Sequence, residues 1–219
     1  MTTASPHAKL IDAAARKYLR PLGCIQKGRS RVWLLDRSWF ISVVEFQPSS
    51  WSKGSYLNVS AHFLWVWHDH VSFDLGDRME SFIEFTTEEQ FAEATERLAS
   101  RAVIELQKID LKLPNLDAIT PSTFSPAAME GSPWPLYHCA VAYGLNGKTD
   151  EAQKIFKKLA SLATAPEWQH ALAIRATELL QLLPNRVAFA QAISRLVTEH
   201  RLKLKLPNIA FNPDGFAAG

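Results

Sequence analysis

Hydrophobic and polar positions alternate most clearly between Tyr56 and His68. Leu57, Val59, Ala61, Phe63, Trp65 and Trp67 are apolar, with Asn58, Ser60 and His62 between them, followed by Leu64 and Val66. A period of two sends alternate side chains to opposite faces of a strand. One face is therefore apolar throughout, and the other begins polar and ends apolar. Ser38 to Gln47 predicts the preceding strand, rich in aromatic and β-branched residues. Phe40, Val44 and Phe46 fall on one face, and Trp39, Ile41 and Val43 fall on the other and run into Glu45 and Gln47. Pro48 to Gly54 has loop chemistry and joins the two strands. A shorter strand, Arg31 to Leu35, pairs through a turn at Asp36-Arg37. The expectation is an antiparallel meander of at least three strands, with a short edge strand at Cys24 to Lys27.

Helical periodicity surrounds this sheet. Ser5-Pro6 supplies an N-cap and a first helical residue, and Leu10, Ile11, Ala14 and Tyr18 form one stripe that ends at Pro21 and Gly23. After the sheet, Val71 to Leu75 predicts a strand and Gly76-Asp77 a turn. Thr87-Glu88-Glu89-Gln90 is a capping box opening a long helix to about Asp110, whose apolar face is suited to cover one side of the sheet. Pro114 to Pro133 holds prolines among Ser, Thr and Asn and predicts a linker or wrapped loop. Beyond Trp134 the pattern is helical: Leu136 to Leu145, Asp150 to Ala163, Glu167 to Leu182, and a helix headed by Pro184 to about Leu202. Leu202 to Pro207 alternates and predicts an extended segment, and the end, FNPDGFAAG, a mobile one. The fold class is α+β: an antiparallel sheet flanked by N-terminal and closing helices, then about four helices. The expected divisions are an α+β domain at 1–113, a linker at 114–133, a helical region at 134–206 and a tail at 207–219.

Composition narrows the class. In 219 residues, 47% are apolar and 21% charged, ordinary values for a globular protein with its own core. The net charge of +2 gives no global pull toward nucleic acid or membrane. No apolar run approaches the ~20 residues of a membrane span. The opening segment lacks a charged-then-apolar signal pattern. Cys24 and Cys139 match no metal or redox spacing, which points to two buried thiols in a cytoplasmic protein.

Two stretches resemble known families. Leu19-Arg20-Pro21-Leu22-Gly23, Lys27-Gly28-Arg29, Val43-Val44-Glu45-Phe46-Gln47 and Tyr56-Leu57-Asn58-Val59 carry the first resemblance. With them, about half of the chain resembles the bacterial domain-of-unknown-function 4304 family, although that family usually has an aromatic residue at the position of Cys24. The resemblance implies an α+β fold and no particular activity. Leu136, Tyr143, Gly147, Ala152 and Phe156, with Pro166 near the closing turn, resemble one tetratricopeptide unit. That implies a helical hairpin; an array needs about three such units.

Several constellations bear chemistry. His62, His68 and His70 share strand parity, with Asp69, Asp74, Asp77 and Glu80 nearby, and are the metal candidates. The competing reading is a strand end entering a solvated polar turn. Glu45, Gln47, Asn58, Ser60 and His62 form a polar patch that would bind a polar ligand, with Glu45 and His62 as an acid–base pair. The competing reading there is the partly solvated end of a sheet face. No nucleophile-elbow pattern surrounds Ser60. Trp51 and Lys53, on a serine-rich hairpin loop, are interaction candidates; alternatively Trp51 folds back over the sheet edge. Lys154, Lys157, Lys158, Arg195, Arg201, Lys203 and Lys205 give the helices a basic surface, which an ordinary solvated face explains better than nucleic-acid binding. The sequence therefore points first to a non-catalytic interaction module with a protein partner, an adaptor or a neutraliser in a toxin or defence system. The alternative is a small-ligand-binding or metal-dependent enzyme using the sheet-face patch. No cofactor is expected.

Overall fold

The computed structural model describes residues 5–162 and 166–211. The order is α1 (Pro6–Leu19), β1 (Ile25–Gln26), β2 (Val32–Asp36), β3 (Phe40–Gln47), β4 (Gly54–Phe63), β5 (Leu75–Glu84), α2 (Glu88–Lys112), α3 (Pro126–Gly131), α4 (Trp134–Leu145), α5 (Thr149–Ala160), α6 (Glu167–Leu182) and α7 (Arg186–Lys203). Short 3₁₀ turns occupy Arg20–Leu22, Leu116–Ala118 and Pro121–Thr123. The protein is α+β, with one five-stranded antiparallel sheet preceded by a helix and followed by a helical C-terminal part. The expected end of α5 at Ala163, and the tail beyond Phe211, lie outside the described residues.

The chain divides into two compact units, Met1–His62 with Val71–Leu111, and Phe63–His70 with Lys112–Gly219. The division does not follow the expected boundary at 113 alone. The segment Phe63–His70, read from sequence as the end of a strand, belongs to the helical unit.

In the first unit the strands lie in sequence order, β1-β2-β3-β4-β5. Trp33 faces Val44 and Leu35 faces Ser42, while Leu34 faces Val43 and Val32 faces Glu45. One face therefore carries Trp33, Leu35, Phe40, Val44 and Phe46, all buried. The apolar stripes of α1 (Ile11, Ala14, Ala15, Leu19) and α2 (Phe91, Ala94, Leu98, Ala102, Leu106) are the matching surface. Lys17 Nζ donates to Glu96 Oε2 at 2.7 Å and joins the two helices. Arg37 at the β2–β3 turn makes a bidentate pair with Asp110 near the end of α2, the Nε bond measuring 2.8 Å. The α2 cap departs from a reciprocal box. Thr87 Oγ1 accepts from Gln90 N–H as expected, but Gln90 Oε1 returns to Thr86 and not to Thr87.

Strand β5 corrects the expected strand at Val71 to Leu75 and turn at Gly76-Asp77. Gly76 lies within the strand, opposite Ser60. Its φ is +152°, and a Cβ there would stand 2.2 Å from Val59 O. Glycine thus permits the close strand approach at that point. As an edge strand, β5 exposes Asp77, Arg78 and Glu84, charges that discourage further strand pairing.

In the second unit, α4 packs on α5 and α7, α5 on α6, and α6 on α7. Gly147, at φ +73°, closes the α4–α5 hairpin, and Ala152 and Phe156 are buried along α5. The stretch 114–133 is the wrapped alternative: Leu116, Ile119 and Phe124 are buried, and its 3₁₀ turns and α3 lie against α4. Leu64–Trp65 turn away from the strand direction, and the segment threads among the helices. Trp65 Nε1 donates to His138 Nδ1 at 3.1 Å, Tyr137 Oη donates to Trp65 O at 3.0 Å, and Lys203 Nζ donates to Trp67 O at 2.8 Å. Leu202 and Lys203 complete α7 and are not extended; Arg201 then donates to Pro207 O through Nε at 3.1 Å and Nη2 at 2.7 Å.

Candidate interaction hairpin and sheet-face cluster

Residues 48–53 connect β3 to β4, and the C-terminal end of this loop is pinned. Phe85 N–H donates to Lys53 O at 2.8 Å, and Arg31 Nη1 donates to Gly54 O at 3.3 Å. Gly54 sits at φ +154°, where a Cβ would fall 2.1 Å from Ile83 O. A side chain at this position would push β5 away, so the root of the loop is fixed by backbone fit. Within the loop, Ser49 Oγ accepts from Trp51 N–H at 3.1 Å, a local turn that presents the indole outward. Trp51 is 95% exposed, the most exposed large apolar side chain among the described residues. It does not fold back over the sheet edge. Lys53 beside it is also exposed.

The polar patch is real in part. Asn58 Nδ2 donates to Glu45 Oε2 at 2.9 Å and to Gln47 Oε1 at 2.8 Å. Arg78, which sequence reading did not place here, donates through Nη2 to Gln47 Oε1 at 3.2 Å and lies 4.1 Å from the centre of the Tyr56 ring. Asn58 pairs with Arg78 in the β4–β5 register, so three strands contribute to one half-buried ladder. Because β5 was read as a turn, no sequence signal brought Arg78 to this face. The ladder's donors and acceptors meet one another.

Ser60 and His62 do not join it. Both are fully buried, and Ser60 Oγ donates to Ala61 O at 3.0 Å. His62 is four strand positions beyond Asn58, or about 13 Å at the strand rise. The expected Glu45–His62 acid–base pair is therefore not assembled. His62 Nδ1 instead meets Ser72 Oγ at 2.7 Å and Asp74 Oδ2 at 3.2 Å, and Ser72 Oγ donates to Asp74 Oδ1 at 2.7 Å. Serine, histidine and aspartate here are not a catalytic triad. A triad needs serine and aspartate on opposite ring nitrogens, and both meet Nδ1. The contacts clamp the segment entering β5 onto β4.

Strand β4 ends at Phe63, so strand parity does not join His62 to His68 and His70. His68 and His70 lie in a bend of the helical unit with their rings stacked at 4.1 Å, and His68 Nδ1 is 2.8 Å from His70 O. Among the described residues no group of three or more His, Cys, Asp or Glu could hold a metal ion. The basic surface of the helices is smaller than expected: Arg201 is buried and Lys203 is spent on Trp67 O.

No family model, curated protein or solved structure matches the chain. The residues themselves carry what can be said of function.

Both thiols are inert by environment. Burial pushes Cys24 up to about 11 and Cys139 up to about 12. No helix among the described residues is long and apolar enough to cross a membrane.

Proposed function

We propose that the protein is a non-catalytic interaction module that docks a protein partner through the Trp51 hairpin. The observation that carries this reading is an indole 95% exposed on a loop whose C-terminal end is pinned. An exposed tryptophan gains much from burial, on the order of 150–250 Å² of contact surface. A fixed root keeps the entropic cost of docking low. Lys53 supplies a charge beside the indole, and the half-exposed pair Tyr56 and Phe82, 5.0 Å apart on the adjoining strands, extends the aromatic surface. Docking fits an adaptor, or a neutraliser that covers its target's active surface.

A role in sheet-face catalysis has less support, since Glu45, Gln47, Asn58 and Arg78 already satisfy one another and His62 is buried elsewhere. The test is affinity capture from nuclease-treated native lysate with wild type, Trp51→Ala and Trp168→Ala. The proposal expects one stoichiometric protein on wild type and Trp168→Ala and its absence on Trp51→Ala. Retention on Trp51→Ala would refute it.

A further inference from the structure

A cleft of about 400 Å³ opens in the first unit between α1 and the β1–β2 turn. Its walls are Lys9, Asp12 and Arg16 from α1, Arg29 and Arg31 from the turn region, and the edge of Trp33. Residues 8, 12 and 16 are four apart and share one helix face, so the sequence spacing of α1 sets one wall. The turn sets the other. Gly28 takes φ +59°, and Ser30 Oγ donates to Lys27 O at 2.7 Å, closing a tight turn that holds Arg29 and Arg31 in place.

The charges on this cleft do not balance. Asp12 Oδ2 is paired with Arg16 across one helical turn, and its Oδ1 is buried without a hydrogen-bond partner among the described residues, so the cleft carries one carboxylate against four cationic side chains. Lys9, Arg29 and Arg31 have no carboxylate partner among the described residues. Arg31 is the telling member. Its side chain is partly buried, and one bond, from Nη1 to Gly54 O, accounts for only one of five donors. Burial holds it below its ordinary value. Its charge reaches His7, which burial, Arg31 and Lys53 together hold below the usual imidazole value. A partly desolvated guanidinium without an anion is costly unless a ligand supplies one.

We infer that this cleft binds a small phosphorylated molecule, with the phosphate held by Arg29 and Arg31 and a further charge met by Lys9. A planar fork of donors suits phosphate oxygens, and the volume suits a molecule of nucleotide or sugar-phosphate size. Arg31 also bonds Gly54 O at the root of the Trp51 loop, whereas Arg29 and Lys9 take no part in that loop, so Arg29→Gln tests the cleft independently of docking.

Inorganic pyrophosphate is the probe, titrated into the full chain at constant ionic strength and followed by calorimetry. The expected result is one site per chain, weakened about fivefold or more by Arg31→Gln and by Arg29→Gln, and unchanged by Lys158→Gln on the helical surface. Arg29 is exposed and its side chain makes no hydrogen bond or ion pair among the described residues, so its variant remains informative if Arg31→Gln is unstable. No saturable binding overturns the inference. So does binding that survives both arginine substitutions, or binding that Lys158→Gln weakens equally, which marks diffuse surface charge.

Discussion

Trp51 and Trp65 show how little residue type alone decides. Both are tryptophans within the same aromatic stretch, yet one is 95% exposed and the other fully buried. Exposure of Trp51 means that its removal costs the fold almost nothing. Trp51→Ala should change the stability by less than about 0.5 kcal/mol, read from the urea midpoint. A larger loss would place the indole in the fold and not at an interface. The two thiols give the opposite kind of prediction. Each is neutral in the fold well above the pH at which it ionises when unfolded, Cys24 at about 11 and Cys139 at about 12 against an ordinary value of 9.0. A raised pKa contributes stability that is fully present below the unfolded value and is lost as pH climbs toward the folded one. Tyr137, raised by burial, adds in the same direction. Thermal midpoints should therefore fall between about pH 9 and 12 and fall less in a Cys24→Ala, Cys139→Ala double variant. A disulfide-exchange reagent at pH 8 should label both thiols only on unfolding; rapid labelling of the native protein would contradict their burial.

At the scale of elements, what was legible in sequence was what periodicity encodes strongly. The helices α1, α2 and α4 to α6 and the strands β2 and β3 fall close to their expected spans. β5 and the segment after β4 escaped for physical reasons. β5 is a charged edge strand whose Gly-Asp pair has turn chemistry, and its pairing partner β4 decides its conformation. The 64–67 stretch is a run of apolar, strand-favouring residues that continues β4 in sequence, but its side chains pack on helices far along the chain, and local pattern cannot report that. The candidate site was legible to a similar degree. Asn58, Glu45 and Gln47 meet as strand parity implies, whereas His62, farther along β4, is buried against Ser72 and Asp74. Gly144 tests the helix packing. A Cβ there would lie 2.6 Å from ring atoms of Phe189 and 3.0 Å from Leu183 Cδ1. Phe189 is fully buried and cannot yield. Gly144→Ala should destabilise by about 1–3 kcal/mol despite alanine's better helix propensity. A neutral or stabilising result in denaturant titration would contradict the close α4–α7 approach.

For the whole molecule, the division into two units is not a cut in sequence. Phe63–His70 leaves β4 of one unit and is built into the other. Trp65→Ala should remove a buried side chain and its bond to His138, costing about 3–5 kcal/mol. Hydrogen exchange should show that cost first in α4 and α7; protection lost first in β2 and β3 would assign the segment to the sheet instead. Among the described residues Trp51 is the most exposed indole, carried on a loop pinned at its C-terminal end, and that is the basis of the docking proposal. Its most direct test is the dissociation constant of the captured protein with wild type and with Trp51→Ala under identical salt. The account predicts weakening of about 30-fold or more, a hot-spot loss of roughly 2 kcal/mol, with the urea midpoint unmoved. Constants within twofold of each other would contradict it.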